Sequence, residues 1–359
     1  MNIRVFASSA LGVWAALRLR CKGFAVSLVL VKKESESLRP SRIPRSQLSP
    51  VIEHLSRLGI PVSNILEAPV VRGWISPSGE IFERVWSDKG QHEERWIDVV
   101  KLKESLKRAC ELEGVQITEV ETFAAPEWTD FDHLGVYEAP SQEISHWTKA
   151  FQAFVDNTAY DVTEVLFPRG MDSALQKILF FEFEGVKGSL ENLNRQKSVL
   201  TLISRSRILI DRTLEDLRTR LSEKETGQLR ALFALNPHVF RRDYKSLVGE
   251  SGLYIPQFCL LGSGFGGLPA LMNTQMREGF KQVSRLEEFL DRNLKLSTHA
   301  DPIKMGEDWY QSEKRGFLRL LAWQRGWEDW LWSRMRQSWA LRVQQYLPGK
   351  LRDLLRSPL

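Results

Sequence analysis

The stretch MNIRVFASSALGVWAALRLRCKGFAVSLVLVKK, Met1–Lys33, decides the fold. Ile3–Phe6 is a short apolar run, and small residues follow at Ala7, Ser8, Ser9 and Ala10 before Leu11 and Gly12. Val13–Cys21 predicts a helix that Lys22 and Gly23 close, and Val26–Val31 is a second apolar run. Strand, tight turn, helix and strand together open a dinucleotide-binding unit, in which a pyrophosphate rests on the helix N-terminus. The turn of such a unit carries Gly-x-Gly-x-x-Gly, and here those three positions are Ala7, Ser9 and Gly12. Gly12 keeps the close packing of helix on strand. Ser9 puts a side chain where a phosphate approaches.

Working outward, Glu34–Gln47 has the Ser, Pro, Arg and Lys content of a surface loop. A helix is expected over about Ser49–Leu58, with Gly59 ending it, and another over Asp98–Leu112, stopped at Gly114 before a strand at Val115–Ile117. Val70–Trp74 and Ile81–Trp86 flank Ser76-Pro77-Ser78-Gly79, a hairpin signal. Phe151–Val155 reads as a short buried strand. Ile178–Phe183 and Ser198–Ile203 read as paired strands, with Ile208–Ile210 as a candidate third. Helices are expected at Thr213–Leu221 and Thr226–Phe233. Phe258–Leu261 is a strand that ends in Gly262-Ser263-Gly264-Phe265-Gly266-Gly267, ahead of a long helix over about Ala270–Asn293 and a helical C-terminal region. The glycine run matches Gly-x-Gly-x-x-Gly, yet no second strand follows it, so it does not complete a second dinucleotide unit.

Composition sets outer limits. The 359 residues are 43% hydrophobic, enough to bury one large core or two joined cores. No apolar run reaches the length of a membrane-spanning helix, and Met1–Phe6 reads as a strand in place of a signal peptide. Cys21, Cys110 and Cys259 are far apart and show no paired spacing, which argues against a disulfide framework or a zinc site and for a reducing, cytoplasmic setting. The six histidines likewise show no metal spacing, and no nucleophile elbow, P-loop or His-Glu-x-x-His is present.

The order of elements resembles the FAD-dependent oxidoreductases of the para-hydroxybenzoate hydroxylase type, which include class A monooxygenases, geranylgeranyl-reductase-like proteins and flavin-dependent halogenases. The resemblance is carried by Met1–Lys33, by the helix ending in Leu58-Gly59-Ile60, and by Leu102, Leu106 and Gly114-Val115. Val155-Asp156-Asn157-Thr158-Ala159, Leu260-Leu261-Gly262-Ser263 and the helix from Met276 to Leu290 complete it. It implies an α/β fold: a Rossmann-like FAD/NAD(P)-binding domain with an inserted antiparallel substrate sheet and a helical C-terminus. The expected division is 1–70, 98–160 and 253–300 for the first domain, 71–97 and 161–252 for the second, and 301–359 for the C-terminal region. Carried over residue by residue, the resemblance places Ser9, Gly12, Asp156, Gly262, Ser263 and Gly264 at the FAD-binding positions, with no catalytic residue and no metal ligand.

The departures from the family fall at those same positions. Ala7 and Ser9 replace glycines, Leu30 stands where a ribose-binding acid is expected, Val99 stands for an arginine, and Ser263 stands for an aspartate. The expectation is therefore a flavoprotein-monooxygenase-fold protein with altered FAD motifs that acts by binding an apolar small molecule, a nucleotide held in another way, or a protein partner. The alternative is a working FAD-dependent oxidoreductase on a lipophilic or aromatic substrate. From Trp309 onward the chain also carries Trp309, Trp323, Trp327, Trp330, Trp332 and Trp339. From Lys314 onward it has ten basic residues against three acidic ones, a net +7 where the whole chain is +5. Two readings stay open there: an aromatic stripe packed on the fold, or a basic aromatic surface for peripheral contact with a membrane or for an acidic partner. No nucleic-acid motif is present.

Overall fold

The structure, a computed structural model, describes residues 2–32, 41–63, 65–75, 81–84, 94–121, 133–138, 153–168, 176–194, 197–224, 241–253, 255, 257–262, 275–296 and 301–335. The chain divides into two compact units. The first comprises Met1–Glu67, Lys89–Thr158 and Leu247–Phe317, and the second Ala68–Asp88, Ala159–Ser246 and Leu318–Leu359.

The first unit is built on a five-stranded parallel sheet. In spatial order its strands are β14 (Phe258–Leu260), β8 (His133–Glu138), β1 (Asn2–Ala7), β2 (Ala25–Val31) and β7 (Gln116–Val120). The topological switch point lies between β1 and β8, the two strands whose carboxyl ends flank a ligand crevice in folds of this kind. The register is continuous, with Ala7 opposite Leu30 on one side and Glu138 on the other. Helix α1 (Ala10–Cys21) connects β1 to β2. Its residues Ala10 to Leu17, and Leu19, are all buried, which is why its sequence is apolar on every side. Helix α3 (Val99–Leu112) starts on Asp98, whose carboxylate accepts the Lys101 N–H at 3.0 Å, and buries Leu102, Leu106 and Cys110. Helices α1, α2 (Arg45–Arg57) and α3 all stop at glycines with positive φ: Gly23, Gly59 and Gly114. Helices α5 (Gln275–Leu296) and α6 (Pro302–Met335) follow β14, and Trp309 donates its Nε1–H to the Leu260 carbonyl at 3.1 Å.

Several elements differ from expectation. Strand β8 was not anticipated from the sequence, although it fills the place beside β1. The strand expected at Phe151–Val155 is the start of β9 (Ala153–Phe167), which is not a member of the parallel sheet. The segment read as a loop contains β3 (Ser41–Pro44), paired antiparallel with β6 (Glu94–Ile97), and the first turn of α2. Ile43 and Ile97 are both fully buried, so two isolated apolar side chains outweigh the polar composition around them. Pro50 lies inside α2 where the sequence suggested a helix start, because Leu48 and Val51 are anchored in the core on either side of it.

In the second unit β10 (Gln176–Phe183), β11 (Val186–Asn194), β12 (Lys197–Ser204) and β9 form an antiparallel run, so β11 separates the two strands expected to pair. The expected hairpin forms between β4 (Leu66–Ile75) and β5 (Ile81–Arg84), and β4 runs parallel to β10. Ile208–Ile210 lies in helix α4 (Arg207–Lys224), not in a third strand. On one face of the sheet Val165, Leu179, Phe181, Leu200 and Leu202 pack under Ile210 and Leu217 of α4. The opposite face carries Phe180, Ser189, Thr201 and Glu164 in one cross-strand row, all buried. The remaining strand, β13 (Arg241–Leu253), borders β9, where Arg207 holds Asp243 at 2.8 Å. Thr226–Phe233 and Ser338–Leu359 lie outside the described residues. Among the described residues no helix is long and apolar enough to cross a membrane.

Candidate functional site

At the carboxyl end of β1 the chain must turn into α1 and leave its first helical N–H groups without intrahelical partners. Ser9 is the N-cap: its backbone is extended and its Oγ accepts the Leu11 N–H at 3.2 Å. The other donors of the turn go to Glu138, the last residue of β8. Glu138 Oε2 accepts the Ser8 N–H at 3.1 Å and the Ser9 N–H at 2.9 Å, and Ser9 donates its hydroxyl to Oε1 at 3.0 Å. Glu138 is 5% exposed. Burial pushes its carboxyl pKa above the ordinary value, while the bonds from Ser9 and Ser8 pull it back down. A side-chain carboxyl thus sits on the positive end of a helix, the place where a dinucleotide-binding turn presents a phosphate.

The close geometry of the turn has a local cause at Gly12. A Cβ built there would lie 2.5 Å from the Ala7 Cβ and 3.2 Å from Glu138 Oε2. Gly12 is what lets α1 lie against β1 with Ala7, rather than glycine, at the strand end.

The second expected motif is drawn into the same place. Gly262, two residues after the end of β14, has φ +58°, and a Cβ there would meet Leu11 at 2.9 Å and Glu138 at 3.8 Å. Its N–H goes to Gln282 Oε1 of α5 at 2.7 Å. Gln282 Nε2 in turn donates to Glu313 of α6 at 3.0 Å, and Arg285 grips the same carboxylate through Nε and a terminal nitrogen, both at 2.8 Å. Gln282 and Glu313 are buried, so this relay fixes Gly262 from within the protein.

The structure therefore brings Ser9, Gly12 and Gly262 together. Ser263 and Gly264 lie outside the described residues. Asp156 sits within β9, and its side chain is not among those described. Leu30 is 2% exposed and belongs to the core. Beyond it, at the end of β2, the buried Lys103 donates to the Val31 carbonyl at 3.1 Å. Val99 is the first residue of α3, its role as helix start set by Asp98. The residue missed from the sequence is Glu138. Its signal was a four-residue run, Leu134–Tyr137, ending in an acid, too short to register as a buried parallel strand.

FAD would need backbone donors from these residues at two places, one for its pyrophosphate and one for its flavin. They do not fit the fold's usual mode. The Ser8 and Ser9 N–H groups point at a buried carboxylate, and the Gly262 N–H points at Gln282.

No protein-family model and no curated protein matches the chain by sequence. Comparison of structures gives a full-length likeness. CtdE, in complex with FAD and a substrate, matches with TM-score 0.69 at 10% identity over 94% of this chain and 91% of that one. The flavin-dependent brominase Bmp2 matches with TM-score 0.67 at 11% identity over 99% and 93%. PqsL of Pseudomonas aeruginosa, a probable FAD-dependent monooxygenase, matches with TM-score 0.64 at 12% identity over 96% and 98%. The parallel sheet with its separate antiparallel sheet is thus a fold this chain shares with these flavin-dependent proteins.

Proposed function

We propose that the chain is a binding protein on a flavoprotein-monooxygenase fold, with an internal carboxylate in place of the cofactor's pyrophosphate. The observation that carries this reading is the pair of bonds from the Ser8 and Ser9 N–H groups to Glu138 Oε2. A phosphate at this turn would have to displace a buried side chain or lie beside its negative charge. In a water-poor site, like charges a few ångströms apart cost several kcal/mol, on the order of 4 at an effective dielectric of 20. The engaged Gly262 N–H supports the same reading at the second motif. The ligand class that suits the reading is an apolar small molecule or a protein, because neither needs those donors.

The test is an absorbance spectrum of freshly purified protein, repeated after incubation with excess FAD and desalting. The expected result is no flavin band in either sample. A yellow protein retaining one equivalent of FAD would overturn the reading. That outcome would favour the alternative, a working oxidoreductase on a lipophilic or aromatic substrate. Its support is the likeness to flavoenzymes over more than 90% of both chains for CtdE, Bmp2 and PqsL. It would be followed by measuring NAD(P)H oxidation.

A further inference from the structure

Away from the turn, the other ends of three helices meet. Cys21 is the last residue of α1, His54 lies in the last turn of α2, and Glu113 caps the C-terminus of α3. The Cys21 Sγ is 3.8 Å from His54 Nε2, and Glu113 Oε1 is 3.6 Å from the same nitrogen. The three donor atoms all lie within 4.8 Å of one another. We propose that Cys21, His54 and Glu113 form a binding site for one zinc-class divalent cation, with the fourth position open to water on the exposed Cys21 side.

The geometry selects this reading over a nucleophilic triad. In a thiol–imidazole–carboxylate relay the thiol faces one ring nitrogen and the acid faces the other. Here thiol and carboxylate both face Nε2, and Nδ1 faces Arg57 at 2.8 Å. Three donors converging on a point is the arrangement of a coordination sphere. Zinc bonds of about 2.3 Å to sulfur and about 2.0 Å to nitrogen or oxygen put tetrahedral neighbours roughly 3.3–3.6 Å apart, so the two contacts to His54 need contract by only about 0.3 Å, and the Cys21–Glu113 pair by up to about 1.3 Å, to close the site. The donor set, one thiolate, one imidazole and one carboxylate, is of the softness that zinc and cobalt share. His54 is held in place: it is buried, and its ring meets Trp14 edge-on at 6.3 Å between centroids. Cys21 is exposed and gives the ion a way in.

One residue opposes the ion. Arg57 donates to Nδ1, which leaves the proton on Nε2, the nitrogen that must bind the metal. Arg57 is exposed, so its guanidinium can turn to water. Binding then moves the imidazole proton from Nε2 to Nδ1 and releases one proton from the Cys21 thiol, giving a thiolate, neutral imidazole, carboxylate and water around the cation. Other charges near the site are Arg18 and Lys22, which both hold Glu287, and Arg20, which donates to the Glu113 backbone carbonyl at 3.0 Å.

The test is titration of the full-length protein with Co2+ and, by competition with a chromophoric chelator, with Zn2+. One equivalent of Co2+ is expected to give a thiolate-to-cobalt charge-transfer band and the strong visible bands of a four-coordinate ion. Cys21→Ser, at an exposed position, is expected to abolish the charge-transfer band and weaken binding by about tenfold or more. Arg57→Glu gives Nδ1 an acceptor in place of a donor and is expected to tighten binding about tenfold. Absence of the band at saturation, a band that survives Cys21→Ser, or an affinity that Arg57→Glu leaves unmoved or lowers, each overturns the assignment. Neither variant touches the turn at Ser9, so the outcome is independent of whether FAD binds.

Discussion

At the scale of single residues, Glu138 concentrates the chemistry of the first unit. It is an acid buried among N–H donors, so its removal and its neutralisation have different consequences. Glu138→Ala leaves the Ser9 N–H without its acceptor, while the Ser8 N–H keeps the backbone carbonyl of residue 138 at 3.2 Å, and is expected to lower stability by about 1–3 kcal/mol, read by denaturant unfolding. In Glu138→Gln the amide oxygen keeps the two N–H bonds, and the Ser9 hydroxyl can accept from the amide nitrogen in place of donating. That variant is expected to fold with near-normal stability. The pH dependence also separates them. Because burial raises the carboxyl pKa in the folded state, the folded protein holds the proton to higher pH than the unfolded chain does. Glu138 then contributes stability that is fully present below the unfolded value and is lost as pH rises through the folded value. Unfolding free energies measured between about pH 4 and pH 8 should fall with rising pH more steeply in the wild type than in Glu138→Gln. Equal slopes would show that the carboxyl titrates as it does in water. The two buried cysteines follow the same principle: burial pushes the Cys110 thiol up to about 12 and raises the Cys259 thiol as well.

At the scale of elements, the strand–turn–helix unit works by close approach. Helix α1 can cross β1 only because position 12 lacks a side chain, the ideal Cβ there falling 2.5 Å from the Ala7 Cβ. Gly12→Ala is expected to push α1 off the sheet and cost about 1–3 kcal/mol, an overpacking penalty, with loss of thermal stability as the readout. A change below about 0.5 kcal/mol would mean that helix and strand separate without resistance. Between α5 and α6 the binding element is the relay from Gly262 through Gln282 to Glu313. Glu313→Ala strips the acceptor from the buried Gln282 amide, an expected loss of about 1–3 kcal/mol. Arg285 adds little to that figure, because its side chain is 47% exposed and turns to water when its partner goes. Unfolding curves of Glu313→Ala and of Gln282→Ala, alone and combined, should be non-additive if the two act as one relay.

At the scale of the whole molecule, local signals in the sequence reported the frame and the tertiary structure assigned the contents. Apolar runs at Ile3–Phe6 and Val26–Val31, and glycine stops at Gly23, Gly59 and Gly114, are short-range features whose physical causes lie within a few residues. They sufficed to place β1, α1, β2 and α3 as the opening of a dinucleotide-binding unit, the resemblance to a known family implied the rest of the fold class, and the altered positions Ala7, Ser9 and Leu30 were visible directly. What fills those positions was not visible, because it arrives from far along the chain. Glu138 reaches Ser9 across 129 residues, and Arg285 reaches Glu313 across 28. Strand β8 itself is too short and too interrupted by Gly135 to read as a strand; its parallel pairing with β1 and β14 makes it one. Cys21, His54 and Glu113 show no ligand spacing in the sequence, since three different helix ends deliver them. By itself, then, the sequence determined that a nucleotide-binding frame is present and that its motifs are altered, because backbone propensity and apolar periodicity are local. Only the tertiary structure decided that the altered turn is filled from within by a carboxylate, because a buried donor must find its acceptor wherever in the chain one can be brought to it.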